Sequence, residues 1–225
     1  PAEVLSALAA DGACVTAPAS HAVAIAQDRI DEKTFLQSVA GVPVAPHAAL
    51  LSANDADSLD ASLFPAILKT ARMGYDGKGQ RSVNNIAETK AAFAELGNRV
   101  CILEKKLSLA KEVSVIVVRS LTGETVTFPL FENVHRNGIL ATTVFPARVT
   151  DEVSQKVRDY AARIAETLQY KGVLCIEFFV LTDGSVSANE MAPRPHNSGH
   201  VTIEAAVTSQ FEQQVRAMAG LPLGD

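Results

Sequence analysis

The sequence predicts an α+β fold of one domain with two lobes, and three observations lead to this expectation. The chain has 225 residues, 48% hydrophobic and 20% charged, so it can bury a sizeable core. Its predicted strands occur in runs separated by helices, rather than alternating strictly with helices. The second half is richer in strands than the first. We expect the boundary between the lobes near Lys105–Lys111.

The first half begins with helices and then alternates between strands and polar segments. Helical spacing predicts helices over residues 2–12 and 28–41, the second ending at Gly41, and a polar helix over 53–63. Short apolar runs predict strands over residues 47–51, 65–70 and 99–106. A glycine-rich loop covers residues 71–80, and another helix covers 86–97.

The second half is predicted to be mostly strands, with two helices. The expected strands cover residues 112–120, 124–132, 141–147, 172–180 and 186–192. A long amphipathic helix covers residues 151–170, with its apolar side chains on one stripe. A single closing helix is expected over residues 202–220.

Charge and cysteine usage argue against several classes of protein. The net charge of −5 argues against a nucleic-acid partner, because phosphate-binding surfaces usually carry a basic excess. The three cysteines, Cys14, Cys101 and Cys175, are far apart and form no CxxC motif. This spacing is typical of a reduced cytoplasmic protein. No apolar run is long enough to span a membrane, so no membrane partner is expected.

The stretch "GVLCIEFFVLTDGSVSANEMA" predicts a hairpin that brings two glutamates together. A two-residue turn at Asp183-Gly184 would pair Leu181 with Val186, and Glu177 with Glu190. The Cβ atoms of residues directly opposite each other lie about 5 Å apart on one face.

Two carboxylates at that separation repel, by roughly 3 kcal/mol at an effective dielectric of about 20. Protonation of one glutamate, a basic side chain between them, or a divalent cation would relieve the repulsion. Of these, we favour Mg2+, which prefers carboxylate oxygens. A turn of odd length would instead break the register. Strand alternation turns Asn189 to the opposite face unless a bulge redirects it.

The stretch "KTARMGYDGKGQ" is a candidate phosphate-binding loop. Glycines allow backbone N–H groups to converge on an anion, while Lys69, Arg72 and Lys78 supply positive charge. The stretch matches neither of the named glycine-rich nucleotide motifs. Taken alone, it is better explained by a solvent-exposed hairpin tip with ordinary basic residues. Glu104, Glu112 and His135 are further polar candidates, although in isolation such residues are more often part of a solvated surface.

Several stretches together resemble the ATP-grasp superfamily and, more narrowly, its N5-carboxyaminoimidazole ribonucleotide synthetase family. They are "QDR", "GYDGKGQ", "EVS" after "ILE", "NVHRNGIL" and above all "NEMAPRPHNSGH". The resemblance implies an ATP-grasp fold with the nucleotide between two lobes. It also implies that residues 25–220 form this domain, with a small lobe at about 45–107 and a large lobe at about 108–220. Residues 1–24 and 221–225 would then belong to neighbouring domains.

The resemblance also implies a role for each matching residue. ATP would be bound by Arg29, Lys69, Gly74, Tyr75, Asp76, Gly77, Lys78, Gly79, Gln80, Glu104, Lys105, Lys106, Leu107, Glu112, His135, Asn189 and Glu190. Mg2+ would be bound by Glu177 and Glu190. The acceptor substrate and bicarbonate would meet Tyr75, Asp76, Arg194, His196, Asn197, Ser198 and Gly199, with Arg194 and His196 catalytic. Met191 replaces a leucine of the family motif, and Lys111 stands where many relatives have a small residue.

The implied reaction is the ATP-dependent carboxylation of 5-aminoimidazole ribonucleotide with bicarbonate, by way of carboxyphosphate, in purine biosynthesis. The family is usually homodimeric at full length. Another ATP-grasp ligase is an alternative, although the "HNSGH" end of the motif argues against it. The chain starts without methionine and is expected to be a fragment, which by itself would bind MgATP with little or no synthetase activity.

Overall fold

The computed structural model describes residues 2–10, 18–74, 79–136 and 138–225. The helices are α1 (Ala2–Ala10), α2 (Ser20–Ala26), α3 (Arg29–Thr34), α4 (Ile86–Glu95), α5 (Asp151–Thr167), α6 (Thr202–Ala205) and α7 (Gln210–Ala219). The strands are β1 (His47–Leu50), β2 (Ala66–Thr70), β3 (Gln80–Val83), β4 (Cys101–Lys105), β5 (Leu109–Arg119), β6 (Thr125–Thr127), β7 (Phe131–Arg136), β8 (Ile139–Val144), β9 (Gly172–Leu181) and β10 (Val186–Ala192). The α+β expectation is confirmed.

Two antiparallel sheets form the framework. The first has four strands in the order β1-β4-β2-β3, and the second has the path β10-β9-β5-β7-β8, with β6 paired to β5. The chain passes from the first sheet to the second between Lys105 and Leu109. This crossing lies within the stretch where the sequence predicted the lobe boundary.

The second sheet is covered on both faces over part of its length. Val113, Val115 and Val117 of β5 pack in the core that includes α5, whereas Ile116 and Val118 pack toward α7. Because successive side chains of a strand point to opposite faces, this double burial explains why β5 is a nearly continuous apolar run. Ser114 and Glu112 lie on the same face of β5 as Ile116 and Val118. At these two positions the face carries polar side chains instead of apolar core residues.

The β9–β10 hairpin has the predicted glutamate pairing, but the predicted turn is wrong. The register beside the turn is Val186 opposite Val180. The Leu181 N–H donates to the Ser185 carbonyl at 2.9 Å, and Gly184 has φ +82°. The connection is therefore a three-residue loop with a left-handed glycine.

A bulge then restores the predicted pairing further along the hairpin. The register shifts between Ala188 and Glu190, and Glu190 lies opposite Glu177. The extra residue is Asn189, whose side chain turns toward Glu177, with Asn189 Nδ2 3.4 Å from Glu177 Oε2. The odd loop and the bulge therefore compensate, and Asn189 shares the face of the two carboxylates.

Other predicted elements are interrupted by local capping and turns. The closing helix expected over 202–220 is two helices, because Ser209 accepts a hydrogen bond from the Glu212 N–H and starts α7 anew. The polar helix over 53–63 is two short 3-10 segments, Ala53–Ser58 and Ala61–Leu63. The strand predicted over 124–132 is divided into β6 and the start of β7. Helix α2 and strand β3 were not predicted.

No helix in the described part of the chain is both long enough and apolar enough to cross a membrane.

Candidate functional site

A cavity of about 860 Å³ is lined by both sheets and by α3. The first sheet contributes Ile67, Lys69 and Gln80, and the second contributes residues of β5, β7, β8, β9 and β10. Apolar side chains of Ile67, Leu109, Leu140 and Phe179 occur with charged ones. A flat apolar molecule that carries polar and anionic groups fits such a mixed lining.

Two acidic side chains at the β10 side of the cavity have unequal environments. Arg29 of α3 donates to Glu190 Oε2 at 2.8 Å. Burial raises the pKa of Glu190, but the charge and the hydrogen bond of Arg29 lower it by more than burial raises it. The pKa of Glu190 is therefore below its ordinary value. Burial and the neighbouring Glu190 raise the pKa of Glu177 to about 7. The repulsion expected from the sequence is therefore divided: Glu190 is held ionised and Glu177 holds its proton more tightly.

His196 lies beside the acidic pair on a buried turn. Its Nε2 is 3.5 Å from Glu177 Oε1, and its Nδ1 is 2.9 Å from the Ser198 hydroxyl. Burial and the nearby Arg194 lower the pKa of His196 to about 4. The imidazole is therefore neutral at physiological pH, with one nitrogen able to accept a proton. Arg194 itself is exposed and donates to the Pro195 carbonyl at 2.9 Å.

A carboxylate and a histidine face each other on neighbouring strands of the large sheet. Glu112 of β5 and His135 of β7 are 2.8 Å apart at Oε2 and Nδ1. This contact raises the pKa of His135. Glu112 lies opposite Phe179 of β9, so the charged pair adjoins an aromatic wall of the cavity.

Buried lysines approach the cavity from the first sheet and α3. Glu104 of β4 holds Lys69 Nζ at 3.1 Å and Lys33 Nζ at 3.3 Å. Burial lowers the pKa of Lys69, although Glu104 opposes the effect. Lys69 lines the cavity, whereas Lys33 and Glu104 lie behind it. Lys69 thus brings a positive charge to the cavity lining, and the buried Glu104 carboxylate behind it holds the ammonium group in place.

Comparison with known families gives the chain its place. A model of the ATP-grasp domain matches residues 35–211. The chain belongs to the ATP-grasp family.

Several relatives of this ATP-grasp chain have the same name. An N5-carboxyaminoimidazole ribonucleotide synthase of Bacillus subtilis is 47% identical over 206 residues, covering 91% of this chain and 54% of the relative. A solved N5-carboxyaminoimidazole ribonucleotide synthetase in complex with ADP has a TM-score of 0.93 at 42% identity, covering 100% of this chain and 59% of the other. An N5-carboxyaminoimidazole synthase of Aspergillus clavatus, in complex with ADP and 5-aminoimidazole ribonucleotide, has a TM-score of 0.90 at 30% identity, covering 100% and 59%. The chain spans somewhat more than half the length of these relatives.

Most of the predicted site residues in the described part of the ATP-grasp chain line the one cavity. They are Arg29, Lys69, Gly74, Gln80, Glu112, His135, Glu177, Asn189, Glu190, Arg194, His196 and Asn197. The seven other predicted site residues in the described part do not line it, namely Gly79, Glu104, Lys105, Lys106, Leu107, Ser198 and Gly199. Tyr75, Asp76, Gly77 and Lys78 lie outside the described residues.

Ser198 and Gly199 are packed beneath the cavity surface. The Ser114 hydroxyl donates to the Ser198 hydroxyl at 2.8 Å, and Asn133 Nδ2 donates to Ser114 at 2.9 Å. A Cβ on Gly199 would lie 2.2 Å from Ile116 Cδ1. These residues fix the turn that carries His196, and their predicted contact with substrate stays a prediction.

Sequence reasoning missed the buried charges of α3. Glu32 and Lys33 are 2% and 1% exposed, and Glu32 also lines the cavity. Positions 29, 32 and 33 fall on one helix face, so a charged stripe inside an otherwise amphipathic helix was the available signal. Without knowledge of what packs on that face, the stripe is equally typical of a solvated surface.

Among the described residues, no group of three or more His, Cys, Asp or Glu side chains is placed to hold a metal ion. The acidic pair alone offers two carboxylates. Asn189 Oδ1 is buried beside them and has no hydrogen-bond partner in the described part of the chain. An oxygen left without a donor at this point fits a cation better than it fits an anion.

Proposed function

We propose that this chain is the nucleotide-binding domain of a ligase that carboxylates 5-aminoimidazole ribonucleotide with bicarbonate at the expense of ATP. The observation that supports the proposal most strongly is the meeting of Lys69, Arg29, Glu190 and Glu177 in one cavity between two lobes. The substrate in this proposal is taken from the names of the relatives. In this proposal the small lobe covers about 45–107 and the large lobe about 108–220.

ATP is proposed to lie with its phosphates toward Lys69 and Arg29, which line the cavity together with Gly74 and Gln80. The adenine would lie against the apolar wall formed by Ile67, Leu140 and Phe179. Glu112 is suited to accept hydrogen bonds from ribose hydroxyls, because a carboxylate is an acceptor at both oxygens. The neighbouring His135 orients that carboxylate from 2.8 Å.

Glu177 and Glu190 would hold Mg2+, with the orphaned Asn189 Oδ1 available as a further oxygen. Mg2+ is usually bound by one or two carboxylates, with substrate phosphates and water completing the shell, which agrees with the absence of a larger ligand cluster among the described residues. When bound, the ion would neutralise charge on the β- and γ-phosphates. Arg29 would then have to share Glu190 with the ion, since it holds Oε2 at 2.8 Å.

The chemistry we propose has two steps. A bicarbonate oxygen attacks the γ-phosphorus, and the bond to the bridging oxygen of ADP breaks, which gives carboxyphosphate. The exocyclic amine of the ribonucleotide then attacks the carboxyl carbon, phosphate leaves, and the amine loses a proton. Arg194 would hold the anionic acceptor, and His196, which lines the same cavity, would receive that proton. Asn197 lines the same part of the cavity.

A different ATP-grasp ligase is the competing enzyme function, and a nucleotide-binding module without synthetase activity is the competing function for the chain by itself. Phosphate release by the full-length protein separates the two ligases. We expect release to need bicarbonate together with 5-aminoimidazole ribonucleotide. Release driven by a different acid, with none from bicarbonate, would show that the substrate is wrong.

Calorimetry on this chain tests the nucleotide site directly. The wild type should bind ATP more tightly with Mg2+ than in EDTA. Glu190→Gln should lose that Mg2+-dependent gain while retaining the unfolding midpoint of the wild type to within a small shift. Glu212→Gln, which removes a surface carboxylate paired with Arg216 at 2.7 Å, is the matched charge control. Unfolding of Glu190→Gln would mean that the acidic pair is structural.

The full-length protein is also proposed to be a cytoplasmic homodimer. Light scattering of the full-length protein measures the mass, and a monomer at micromolar concentration would contradict the proposal.

A further inference from the structure

The α3 face that carries Arg29, Glu32 and Lys33 grips β10 on both sides of Glu190. Lys33 Nζ donates to the Asn189 carbonyl at 2.5 Å, and the Met191 N–H donates to Glu32 Oε1 at 2.5 Å. One turn earlier in the helix, Arg29 binds the Glu190 side chain. One helix face therefore contacts Glu190 in three ways: through its side chain, through the backbone of the residue before it, and through the backbone of the residue after it.

The residue that Lys33 binds is the extra residue of the bulge. A bulge leaves backbone groups outside the strand ladder, and a buried carbonyl without a partner destabilises the fold. Lys33 supplies that partner from a position only 1% exposed. The bulge is what turns Asn189 and Glu190 together toward Glu177.

Lys33 also connects this bulge to the first sheet. Glu104 binds Lys33 through Oε2 at 3.3 Å and Lys69 through Oε1 at 3.1 Å. A continuous chain of contacts thus runs from the Asn189 carbonyl through Lys33 and Glu104 to Lys69. Lys33 does not line the cavity, so it acts on a ligand only through these neighbours.

We propose that Lys33 is a positioning residue that fixes the Asn189–Glu190 bulge of the large lobe relative to Lys69 of the small lobe. The inference rests on the proposed function for its ligand, since these two ends are the proposed metal side and phosphate side of one nucleotide. Residues that orient ligating groups commonly change metal affinity by about 10- to 100-fold when replaced. Lys33 would thereby fix the distance between the proposed metal ligands at the bulge and the proposed phosphate-binding lysine, Lys69.

The test compares Lys33→Met with the wild type. Glu104 keeps Lys69 at 3.1 Å when Lys33 is removed, so the variant leaves one buried carboxylate paired with one lysine and no unbalanced charge between them. Lys69 keeps its carboxylate partner in both proteins, so the difference reports Lys33. Lys33→Arg is the conservative variant, because it retains the positive charge and several donors.

We expect the gain in ATP affinity on adding Mg2+, measured by calorimetry, to be about tenfold smaller in Lys33→Met than in the wild type. Affinity in EDTA should be similar in the two, and Lys33→Arg should keep most of the gain. An equal Mg2+-dependent gain in the two proteins would overturn the proposal. An equal loss of ATP affinity with and without Mg2+ would also overturn it, because such a loss would not depend on the proposed metal ligands.

Hydrogen–deuterium exchange of the segment 186–192 tests the positioning without any nucleotide. Protection of this segment should fall in Lys33→Met relative to the wild type, while the neighbouring strand 172–181 keeps its protection. Unchanged protection of 186–192 contradicts the inference, and global loss of protection shows that Lys33 serves stability instead. If the wild type binds no ATP, the proposed function fails, and the exchange result still decides whether Lys33 fixes the bulge.

Discussion

Replacing Glu177 with glutamine should stabilise the unliganded protein at alkaline pH and weaken its binding of MgATP. Glu177 is buried, with its side chain 13% exposed, and burial together with Glu190 raises its pKa from 4.5 to about 7. Because the folded protein holds this proton more tightly than the unfolded chain, stability is lost as pH rises from the unfolded pKa to the folded pKa.

The structure sets the magnitude of that effect. At about 1.4 kcal/mol for each tenfold change in proton affinity, the raised pKa of Glu177 corresponds to about 3 kcal/mol between pH 4.5 and 7. Glutamine does not ionise, so Glu177→Gln avoids this loss. Burying the glutamine amide is itself unfavourable and offsets part of this stabilisation. The expected increase in the free energy of unfolding is about 1–2 kcal/mol at pH 8 and close to none at pH 4.5.

Urea unfolding in EDTA, followed at pH 4.5, 6 and 8, measures the stability of both proteins. Calorimetry at pH 8 measures the other half of the prediction, a loss of at least about tenfold in the Mg2+-dependent gain of ATP affinity. Glutamine that destabilises the unliganded protein at pH 8, or a difference that does not grow with pH, would refute the reasoning that burial and Glu190 oppose the charge on Glu177.

Three further changes test other parts of the structure. Gly199→Ala should lower stability by about 1–3 kcal/mol in urea unfolding, because its Cβ would lie 2.2 Å from Ile116 Cδ1; a neutral result would mean that the turn is free to shift. Glu132→Gln should cost about 1–3 kcal/mol at pH 7, since hydrogen bonds from Arg148 lower the pKa of Glu132 to about 2. That cost should shrink as pH falls from 4.5 toward 2, and a cost independent of pH would contradict it. Lys69→Met should weaken ATP binding about tenfold or more in EDTA as well as in Mg2+, whereas unchanged calorimetric affinity would remove Lys69 from the phosphate site.

The hairpin shows how a prediction from sequence succeeded through a different geometry. The apolar runs on either side of Asp183-Gly184 determined two antiparallel strands, and Glu177 does lie opposite Glu190. The turn length was wrong, because Gly184 takes a left-handed conformation at the end of a three-residue loop. The order of hydrophobic residues predicts neither the length of this loop nor the bulge at Asn189. The bulge depends on α3, a distant element that supplies the hydrogen-bond partners of residues 189 and 191.

The sequence by itself determined the class of fold, most strands and the long helix α5. These follow from periodicity, which is a local property of the chain. Most of the polar residues around the cavity were named by the resemblance to a family, and not by periodicity. Tertiary structure alone decided the roles of charged residues in α3. Glu32 and Lys33 read as an ordinary charged stripe, and they are buried because β4 and β10 pack against the same helix face. Burial by distant strands is a long-range property, so it cannot be read from the spacing of neighbouring residues.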